Sequence, residues 1–550
     1  MLKLGFGLTF TDLYATEGLA RVDAAFLAFM HAADPGLAQR LASARGNAAA
    51  LGRGDESVLL IAIASHLEDF VAQLFGVEAE VAALQQAQHE LAPLYACKRQ
   101  VVQRKAMNKY RADEAAGFDG DALRAELESR LGAALEGLPG ELAFARAVGG
   151  WGANEAAHAA DLDLALRYAA WAAHTPAGKA RHRAGVLFKA PRKLDYLHLI
   201  PVEHEHRDGI DRLRLPDAHQ RRRDGFALTD AGTDLAGSLD QANYCIWCHE
   251  QQKDSCSSGL REKKTGDGSL PLFKRSPFGV ALAGCPLEER ISEFHKLRAE
   301  GWALGALAMI CIDNPMVAGT GHRICNDCMK SCIYQKQEPV DIPQSETRVL
   351  KDVLALPWGF EIYALLTRWN PLDLRRPLPR APSGKRVLVV GMGPAGFTLA
   401  HHLLNDGHTV VGVDGLKIEP LPPSVSGVTA AGARVPFEPI RDIAALREPL
   451  DERVMAGFGG VAEYGITVRW DKNFLKVLRL LIERRERFAM CGGVRFGGTL
   501  DTEDAFALGF DHVALAAGAG RPTVLDLPNA LAKGVRTASD FLMALQLTGA

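Results

Sequence analysis

The first third of the chain repeats apolar residues at the spacing of helices. Residues 58–75 and 81–102 both follow an i, i+3, i+4 pattern, and Pro and Gly fall mostly between such runs. The apolar positions of the first run share one helical face: Val58, Leu59, Leu60, Ile63, Leu67, Val71 and Phe75. The pattern predicts an all-α bundle of about six to eight helices between residues 10 and 190.

A different pattern opens the last third of the chain. The apolar run Arg386–Val390 predicts a strand, and a glycine turn and a helix from Pro394 to Leu404 follow it. Gly407 stands where a helix favours a left-handed cap, and a second strand runs from Thr409 to Asp414. This order predicts one β-α-β unit of a parallel, doubly wound sheet.

Two polar connectors, residues 204–237 and 371–383, separate the patterned regions. The sequence therefore predicts a multidomain protein with three parts. Residues 1–235 form an all-α domain whose role the sequence does not reveal, 236–380 an α-helical domain rich in cysteine, and 384–550 an α/β Rossmann-like domain.

Composition narrows the function classes. The 550 residues are 48% hydrophobic and 23% charged, and the net charge of −3 predicts neither nucleic-acid nor membrane binding. Asp12, Glu17 and Asp23 interrupt any signal-peptide core. We expect no apolar stretch of the roughly 18 residues that a membrane-spanning helix needs. These features predict a cytoplasmic protein, in which clustered thiols serve metals rather than disulfides.

Seven of the ten cysteines fall between Tyr244 and Tyr334, and Cys311 is an eighth. The seven are Cys245, Cys248, Cys256, Cys285, Cys325, Cys328 and Cys332. A C-x2-C step lets two thiolates from one turn reach one iron–sulfur cluster, and the set is large enough for two clusters. Two alternatives are haem attachment at the Cys-x-x-Cys-His stretch and a structural zinc site from the two C-x2-C pairs.

The glycine turn matches a dinucleotide fingerprint. Gly391 permits the tight turn, Gly393 lets backbone amides approach a pyrophosphate, and Gly396 allows the helix to pack closely on the strand. The helix N-terminus would offer N–H groups to the phosphates, and Asp414 would accept the ribose hydroxyls. The fingerprint predicts a dinucleotide site without choosing between FAD and NAD.

Several segments match one family. They are the cysteine set, Cys285-Pro-Leu-Glu-Glu-Arg-Ile, Asn314-Pro315, Gly321-His-Arg-Ile-Cys325, the turn at Gly391, Gly459-Gly460-Val-Ala-Glu-Tyr464-Gly465-Ile466 with Arg469, Ala516-Ala-Gly518-Ala519 and Asp540-Phe541-Leu542. Over residues 243–542 the chain thus resembles the flavin-containing small subunit of bacterial glutamate synthase and the related part of dihydropyrimidine dehydrogenase. The resemblance implies FAD, two 4Fe–4S clusters and an NAD(P)H donor.

The resemblance also implies the site residues. One cluster would take Cys245, Cys248, Cys256 and Cys332. The other would take Cys285, Cys325, Cys328 and a fourth ligand, with Glu346 favoured over Cys311. FAD would contact Gly391, Gly393, Pro394, Ala395, Gly396, Asp414, Gly460, Tyr464, Gly465, Ile466, Arg469, Gly518 and Ala519. No residue is predicted to act as a catalytic acid, base or nucleophile.

The chain departs from the family in three ways. The spacer between Cys256 and Cys285 is long, and a proline-containing segment precedes Gly459. The chain also stops where an NAD(P)H-binding fold would begin, so we expect a C-terminal continuation or a separate chain to bind NAD(P)H. The predicted function is an iron–sulfur flavoprotein module that passes electrons to an unknown acceptor. The alternative is a non-catalytic scaffold with a degenerate flavin site and a structural metal.

Overall fold

The computed structural model describes residues 2–220, 227–228, 230–263, 271–321, 325–452, 471–518, 523, 526–537 and 541. Over these residues the protein is multidomain and rich in helices, with an N-terminal helical region and a small parallel sheet towards the C-terminus. The predicted fold class is confirmed at this level. The iron–sulfur domain, the doubly wound FAD domain and the divisions at residues 235 and 384 stay predictions.

Four helices open the chain and share one apolar core with the helices of residues 236–380, which we call the cysteine region. They are α1 (Thr16–Ala33), α2 (Pro35–Gly46), α3 (Arg53–Phe75) and α4 (Glu78–Glu90). Asp34 caps α2 by accepting a hydrogen bond from the backbone N–H of Leu37 at 2.9 Å. The rings of Phe26 and Phe70 each lie 5.8 Å from the ring of Trp369, which joins these helices to the cysteine region.

A second apolar core is built mainly from residues 91–188. Its elements are α5 (Ala92–Cys97), a π-helical segment (Lys98–Ala106), α6 (Met107–Lys109), α7 (Ala112–Ala116), α8 (Gly120–Leu131), α9 (Gly137–Gly152), α10 (Ala159–His174) and α11 (Pro176–Arg181). Leu239, from the first helix of the cysteine region, is also part of this core. The second core therefore contacts the segment that carries the first cysteines.

Helix α3 is long and apolar enough to cross a membrane by length and composition. The expectation that no apolar stretch reaches this length is therefore wrong for α3. Within the protein 61% of its apolar window is buried, and Glu68 on α3 accepts hydrogen bonds from the backbone N–H groups of Leu304 and Gly305 at 2.8 and 3.1 Å. A helix enclosed by protein on most sides is apolar for that reason.

The cysteine region follows an antiparallel hairpin of β1 (Glu203–Arg207) and β2 (Ile210–Arg214), which is exposed along its length. Its helices are α12 (Leu235–Tyr244), α13 (Ser255–Ser258), α14 (Ile291–Glu300), α15 (Ala303–Asp313), α16 (Val317–Thr320), α17 (Asp327–Ser331), α18 (Ile342–Leu354) and α19 (Gly359–Leu366). Helix α15 is buried over nearly all of its length and packs against α3, α14 and α18. The cysteines lie on short helices and turns around this packed centre.

The C-terminal sheet has four parallel strands in the order β5-β4-β3-β6. The strands are β3 (Arg386–Val390), β4 (Thr409–Asp414), β5 (Phe488–Gly492) and β6 (His512–Leu515). The helices of this part are α20 (Pro394–Asn405), α21 (Pro423–Ser426), α22 (Phe474–Glu483) and α23 (Thr502–Ala507). The predicted β-α-β unit is confirmed as β3, α20 and β4.

A buried hydrogen-bond network joins three parts of the chain. Arg484, at the end of α22, forms an ion pair with Glu361 on α19 at 2.9 Å, and both side chains are fully buried. The hydroxyl of Tyr14 donates to the other oxygen of Glu361 at 2.7 Å. Because an unpaired buried charge is costly, this network stabilises the packing of the sheet region against the cysteine region.

Candidate functional site

All ten cysteines lie in the described part of the chain, and all are free. The charges and hydrogen bonds around them divide seven of them between two neighbourhoods. We call the first the thiol group, which consists of Cys245, Cys248, Cys256 and Cys332. We call the second the mixed group, which consists of Cys285, Cys325, Cys328, Glu289 and Glu346.

Short turns at helix ends position the thiol group. Cys245 follows the last residue of α12, and Cys332 follows the last residue of α17. Trp247 has a left-handed backbone (φ +52°), which is rare for a residue with a side chain, and it turns the chain so that Cys248 begins a 3₁₀ helix. Cys256 lies on α13. Three separate segments thus bring four thiols together.

Cys256 and Cys332 form a hydrogen-bonded thiol pair. Their mutual hydrogen bond raises the pKa of Cys256 well above its usual value, and burial adds to this shift. The same bond lowers the pKa of Cys332 to about 7, with help from the backbone N–H groups of Tyr334 and Val340. Cys332 is only 2% exposed, and the hydrogen bonds favour its thiolate form although burial alone would raise its pKa. A buried thiolate is a ligand for soft metals.

Burial raises the pKa of the other two thiols of this group. The pKa of Cys248 rises to about 11, and the charges of Asp254 and Cys332 add to the effect of burial. The pKa of Cys245 is also raised, because the thiol is buried beside Cys248 and Cys332. Such thiols lose their protons when a metal binds, so a positively charged partner would offset the cost of burying them.

The mixed group combines thiols with two carboxyl groups. Cys328 lies on α17 and is buried, and its pKa is raised well above its usual value by burial and then by Glu346 and Glu289. Burial also raises the pKa of Cys285, which lies near Glu346 and Cys325. Cys325 is exposed. The structure therefore places Glu346 near Cys285 and Cys328, and it places Cys325 near both of these cysteines.

Glu289 is a residue that the sequence reasoning missed. Its side chain is buried against Glu346, and burial raises its pKa well above the usual range. Glu346 accepts a hydrogen bond from the side-chain amide of Asn314 at 2.8 Å, and burial raises its pKa to about 7. One oxygen of Glu289, Oε1, has no hydrogen-bond partner in the protein. A buried carboxyl oxygen without a partner is free to bind a cation.

Cys311 lies behind the carboxyl pair on α15. It is 5% exposed, and burial raises its pKa, with smaller contributions from Glu289 and Glu346. Cys311 is also part of the main apolar core. A thiol in this setting is close enough to the mixed group to sense its charge, so the structure leaves both Glu346 and Cys311 near the predicted fourth-ligand position.

The two groups are neighbours along the backbone. The N–H of Cys285 donates to the carbonyl of Cys256 at 2.7 Å, which joins a member of each group directly. Next to it, the N–H of Gly284 donates to the hydroxyl of Ser331, one residue before Cys332, at 2.9 Å. The long spacer between Cys256 and Cys285 thus returns to the segment it left, and it does not separate the two groups.

Among the described residues, no three His, Cys, Asp or Glu side chains are arranged so that they could hold a single metal ion. A cluster of four irons needs its ligands farther apart than one ion does. The donor chemistry fits such a cluster, because soft thiols lie near one another in a largely buried setting and the carboxyl group of Glu346 lies beside Cys328. The zinc alternative requires the pair Cys245 and Cys248 to meet the pair Cys325 and Cys328, which the structure places in different groups, and the haem alternative stays a prediction.

The glycine turn has the geometry of a phosphate cradle. Gly391 has φ +95°, and a Cβ there would lie 2.4 Å from the carbonyl oxygen of Ala516 on the neighbouring segment. A Cβ on Gly396 would lie 1.8 Å from the carbonyl oxygen of Gly391. Gly393 is the N-cap of α20, and Pro394 is its first residue. Side chains are thus excluded, and the helix N-terminus opens towards the turn.

Asp414 ends β4 and holds this turn. Its Oδ2 accepts from the backbone N–H of Met392 at 2.8 Å, and its Oδ1 accepts from that of Leu416 at 2.9 Å. Oδ2 thereby holds the glycine turn, and Oδ1 holds the backbone that follows β4. Asp414 supports the turn in this structure, and its binding to a ribose stays a prediction.

The other predicted flavin contacts fall partly outside the described residues. Gly518 is described and has φ +73°, just beyond β6 at the same edge of the sheet as Gly391. Gly460, Tyr464, Gly465, Ile466, Arg469 and Ala519 lie outside the described residues. Of the remaining cysteines, Cys97 is buried in the second apolar core, and Cys491 is exposed on β5.

Comparison with known proteins gives two kinds of similarity. The family model of the RP005 N-terminal alpha-helical domain matches residues 4–76. The chain is 29% identical to the protein RP005 of Rickettsia prowazekii (strain Madrid E) over 307 residues, which cover 54% of this chain and 99% of RP005. It is 53% identical to RP006 of the same organism over 235 residues, 43% of this chain and 32% of RP006.

A more distant similarity concerns a named enzyme. The chain is 28% identical over 261 residues to the glutamate synthase (NADPH) small chain of Mycobacterium tuberculosis. This alignment covers 47% of the present chain and 42% of that protein. The chain thus spans about a third of RP006 and less than half of the glutamate synthase small chain. Part of the chain is therefore distantly similar to the family that the sequence motifs indicated.

Proposed function

We propose that this chain is an electron-transfer module of an iron–sulfur flavoprotein oxidoreductase. The thiol group is the observation that carries the proposal, because three segments of the fold bring four free thiols together, three of them buried, and hydrogen bonds lower the pKa of one of them. The distant similarity to a glutamate synthase (NADPH) small chain supports a general oxidoreductase role. When bound, iron–sulfur clusters supply one-electron transfer and FAD supplies two-electron chemistry.

The thiol group would hold the first 4Fe–4S cluster through Cys245, Cys248, Cys256 and Cys332. The chain contributes burial, which excludes water, and backbone N–H groups directed at the sulfur of Cys332. Hydrogen bonds to ligand sulfurs and low exposure are the features through which proteins adjust the potential of such sites. The backbone thus contributes to this site together with the four thiols.

The mixed group would hold the second cluster through Cys285, Cys325, Cys328 and Glu346. Asn314 orients Glu346 by donating a hydrogen bond to one of its oxygens, and the buried side chain of Glu289 lies against Glu346. Cys325 is exposed, so this group is the more open of the two. The direct hydrogen bond between Cys285 and Cys256 supports electron transfer between the two groups over a short path.

The turn at Gly391 would hold the pyrophosphate of FAD. The three glycines let backbone N–H groups approach phosphate oxygens, and the N-terminus of α20 carries the positive end of the helix dipole. Asp414 holds the turn by accepting a hydrogen bond from the backbone N–H of Met392. NAD(P)H and the electron acceptor would bind to a further domain or a separate chain, and we propose a cytoplasmic location for the assembly.

The test is metal analysis of protein purified without oxygen. The proposal predicts about eight iron atoms and eight acid-labile sulfides per chain, with FAD binding that Gly396→Val abolishes. Gly498→Ala serves as the matched control, since a Cβ at this exposed glycine meets no atom closer than 3.8 Å. Zinc in place of iron, or haem bound covalently at Cys245 and Cys248, would disprove the proposal and favour a structural metal.

A further inference from the structure

A cavity of about 340 Å³ lies beside the thiol group, where the cysteine region meets the second apolar core. Its walls are the π-helical segment Lys98–Ala106, the end of α12 and Tyr334, and Cys245 lies in the wall. The volume is that of a site for a small molecule. We call this space the tyrosine cavity.

One side of the tyrosine cavity is aromatic and held in place by hydrogen bonds. The rings of Tyr244 and Tyr334 stack with their centroids 4.6 Å apart and their planes at 10°. The hydroxyl of Tyr244 donates to the carbonyl of Glu338 at 3.0 Å and accepts from the side-chain amide of Gln337 at 2.6 Å. The indole of Trp247 also lines the cavity. These rings form a fixed platform on which a planar ring can stack.

The opposite side is basic. Lys98, Arg99 and Arg104 line it, and Asp240 is the one acidic side chain among the described lining residues. Lys98 and Asp240 form an ion pair at 2.7 Å, so their charges neutralise each other, and both side chains are largely buried. Arg99 donates to the backbone carbonyl of Asn243. The charges that face the cavity without a carboxylate partner are therefore those of the two guanidinium groups.

The π-helical segment explains how these side chains come to share one wall. In a π-helix the hydrogen bonds join residues five apart, whereas residues five apart on an α-helix point in quite different directions. Arg99 and Arg104 are five apart, and so are Lys98 and Gln103, and all four line the cavity. The unusual helix thus gathers two pairs of polar side chains towards one space. π-Helical turns occur frequently at functional sites.

We propose that the tyrosine cavity binds a planar aromatic anion. The ring would lie against Tyr244, Tyr334 and Trp247, and the anionic group would bind Arg99 and Arg104, whose planar guanidinium groups suit carboxylate, sulfonate or phosphate oxygens. This site is separate from the glycine turn at Gly391. The proposal goes beyond the electron-transfer function and does not depend on which metal the thiol group holds.

The test uses anthraquinone-2-sulfonate as the anionic probe and 2-(hydroxymethyl)anthraquinone as its uncharged counterpart. Binding to the oxidised full chain is measured by equilibrium dialysis, without reductant, so that only association is observed. We expect the sulfonate to bind at least about tenfold more tightly than the uncharged probe, as expected for hydrogen bonds to a charged group. Equal binding of the two probes would overturn the proposal.

Variants locate the site. Arg104→Gln should weaken binding of the sulfonate about tenfold and leave binding of the uncharged probe unchanged. Arg40→Gln, at an exposed position on α2, is the matched control and should change neither. Quenching of tryptophan fluorescence by the probe should be reduced in Trp247→Phe. Identical results for Arg104→Gln and Arg40→Gln, or full quenching in Trp247→Phe, would place the probe elsewhere and contradict the proposal.

Discussion

The thiol group and the mixed group lie next to each other but differ in their chemistry. The thiol group has four cysteines, and a hydrogen bond between Cys256 and Cys332 stabilises a thiolate within it. The mixed group has three cysteines and two buried carboxyl groups, and Cys325 is exposed. Because oxygen is a harder ligand than sulfur, the two groups would give bound clusters different charges and potentials. We therefore propose that the two adjacent sites hold clusters of different reduction potential.

The largest expected effect comes from removing the buried thiolate. Cys332→Ser should lose about four iron atoms per chain, since the thiol group would keep three sulfur ligands without the one that the backbone stabilises. Melting temperature should fall as well, because metal binding contributes to folding free energy. Iron and sulfide analysis together with calorimetry measures both. Cys491→Ser, at an exposed cysteine outside both groups, is the control and should leave the iron content unchanged.

The next largest effect is expected from a substitution that should alter the mixed group but not the thiol group. Glu346→Ala should remove or alter the cluster of the mixed group and leave that of the thiol group intact, because Glu346 lies beside Cys285 and Cys328 of the mixed group. Electron paramagnetic resonance of the reduced protein distinguishes the two signals. Loss of both signals together would contradict the view that the groups bind separate clusters.

A smaller effect is expected from the second carboxyl group. Glu289→Leu removes one of the two side chains that form hydrogen bonds with Glu346 and should cost about 1–3 kcal/mol of unfolding free energy. It should also shift the reduction potential of the mixed group alone. Glu289→Gln keeps a donor of the same size and should be close to the natural protein in both measurements. Potentiometric titration is the readout, and an equal shift in both groups would argue against a local role.

The smallest effect on metal content is expected at Cys311. Cys311→Ser should retain all iron, since we assign the fourth ligand to Glu346. Stability should fall by about 1–2 kcal/mol, because a hydroxyl replaces a thiol in an apolar core. Loss of the mixed-group cluster in this variant, with its retention in Glu346→Ala, would transfer the ligand role to Cys311.

Local pattern predicted some elements almost to the residue. The strand–turn–helix–strand unit from Arg386 to Asp414 is confirmed. It could be predicted because its apolar pattern, its glycines and its helix cap all lie within a short stretch of sequence. The same reasoning misjudged α3, whose apolar length is consistent with a membrane span but is explained by burial against α15. Apolar length alone does not distinguish a membrane-spanning helix from the central helix of a folded core.

Long-range features of the site could not be predicted from local pattern. Glu288 and Glu289 are adjacent and identical in type, yet the structure exposes Glu288 and buries Glu289 against Glu346. The left-handed backbone of Glu288 (φ +51°) turns the chain at this point. The pairing of Cys256 with Cys332 and the gathering of arginines by the π-helical segment likewise depend on tertiary packing. The resemblance supplied the grouping of the cysteines, but not the carboxyl pair or the tyrosine cavity.

The central claim is that two adjacent groups hold two iron–sulfur clusters of different ligation. Mössbauer spectroscopy of anaerobic, iron-isotope-enriched protein tests it most directly, since each iron site reports its own ligands. We predict one cluster with sulfur ligands throughout and one cluster with a distinct oxygen-ligated iron that disappears in Glu346→Ala. Two indistinguishable all-sulfur clusters, or a single cluster per chain, would contradict this account.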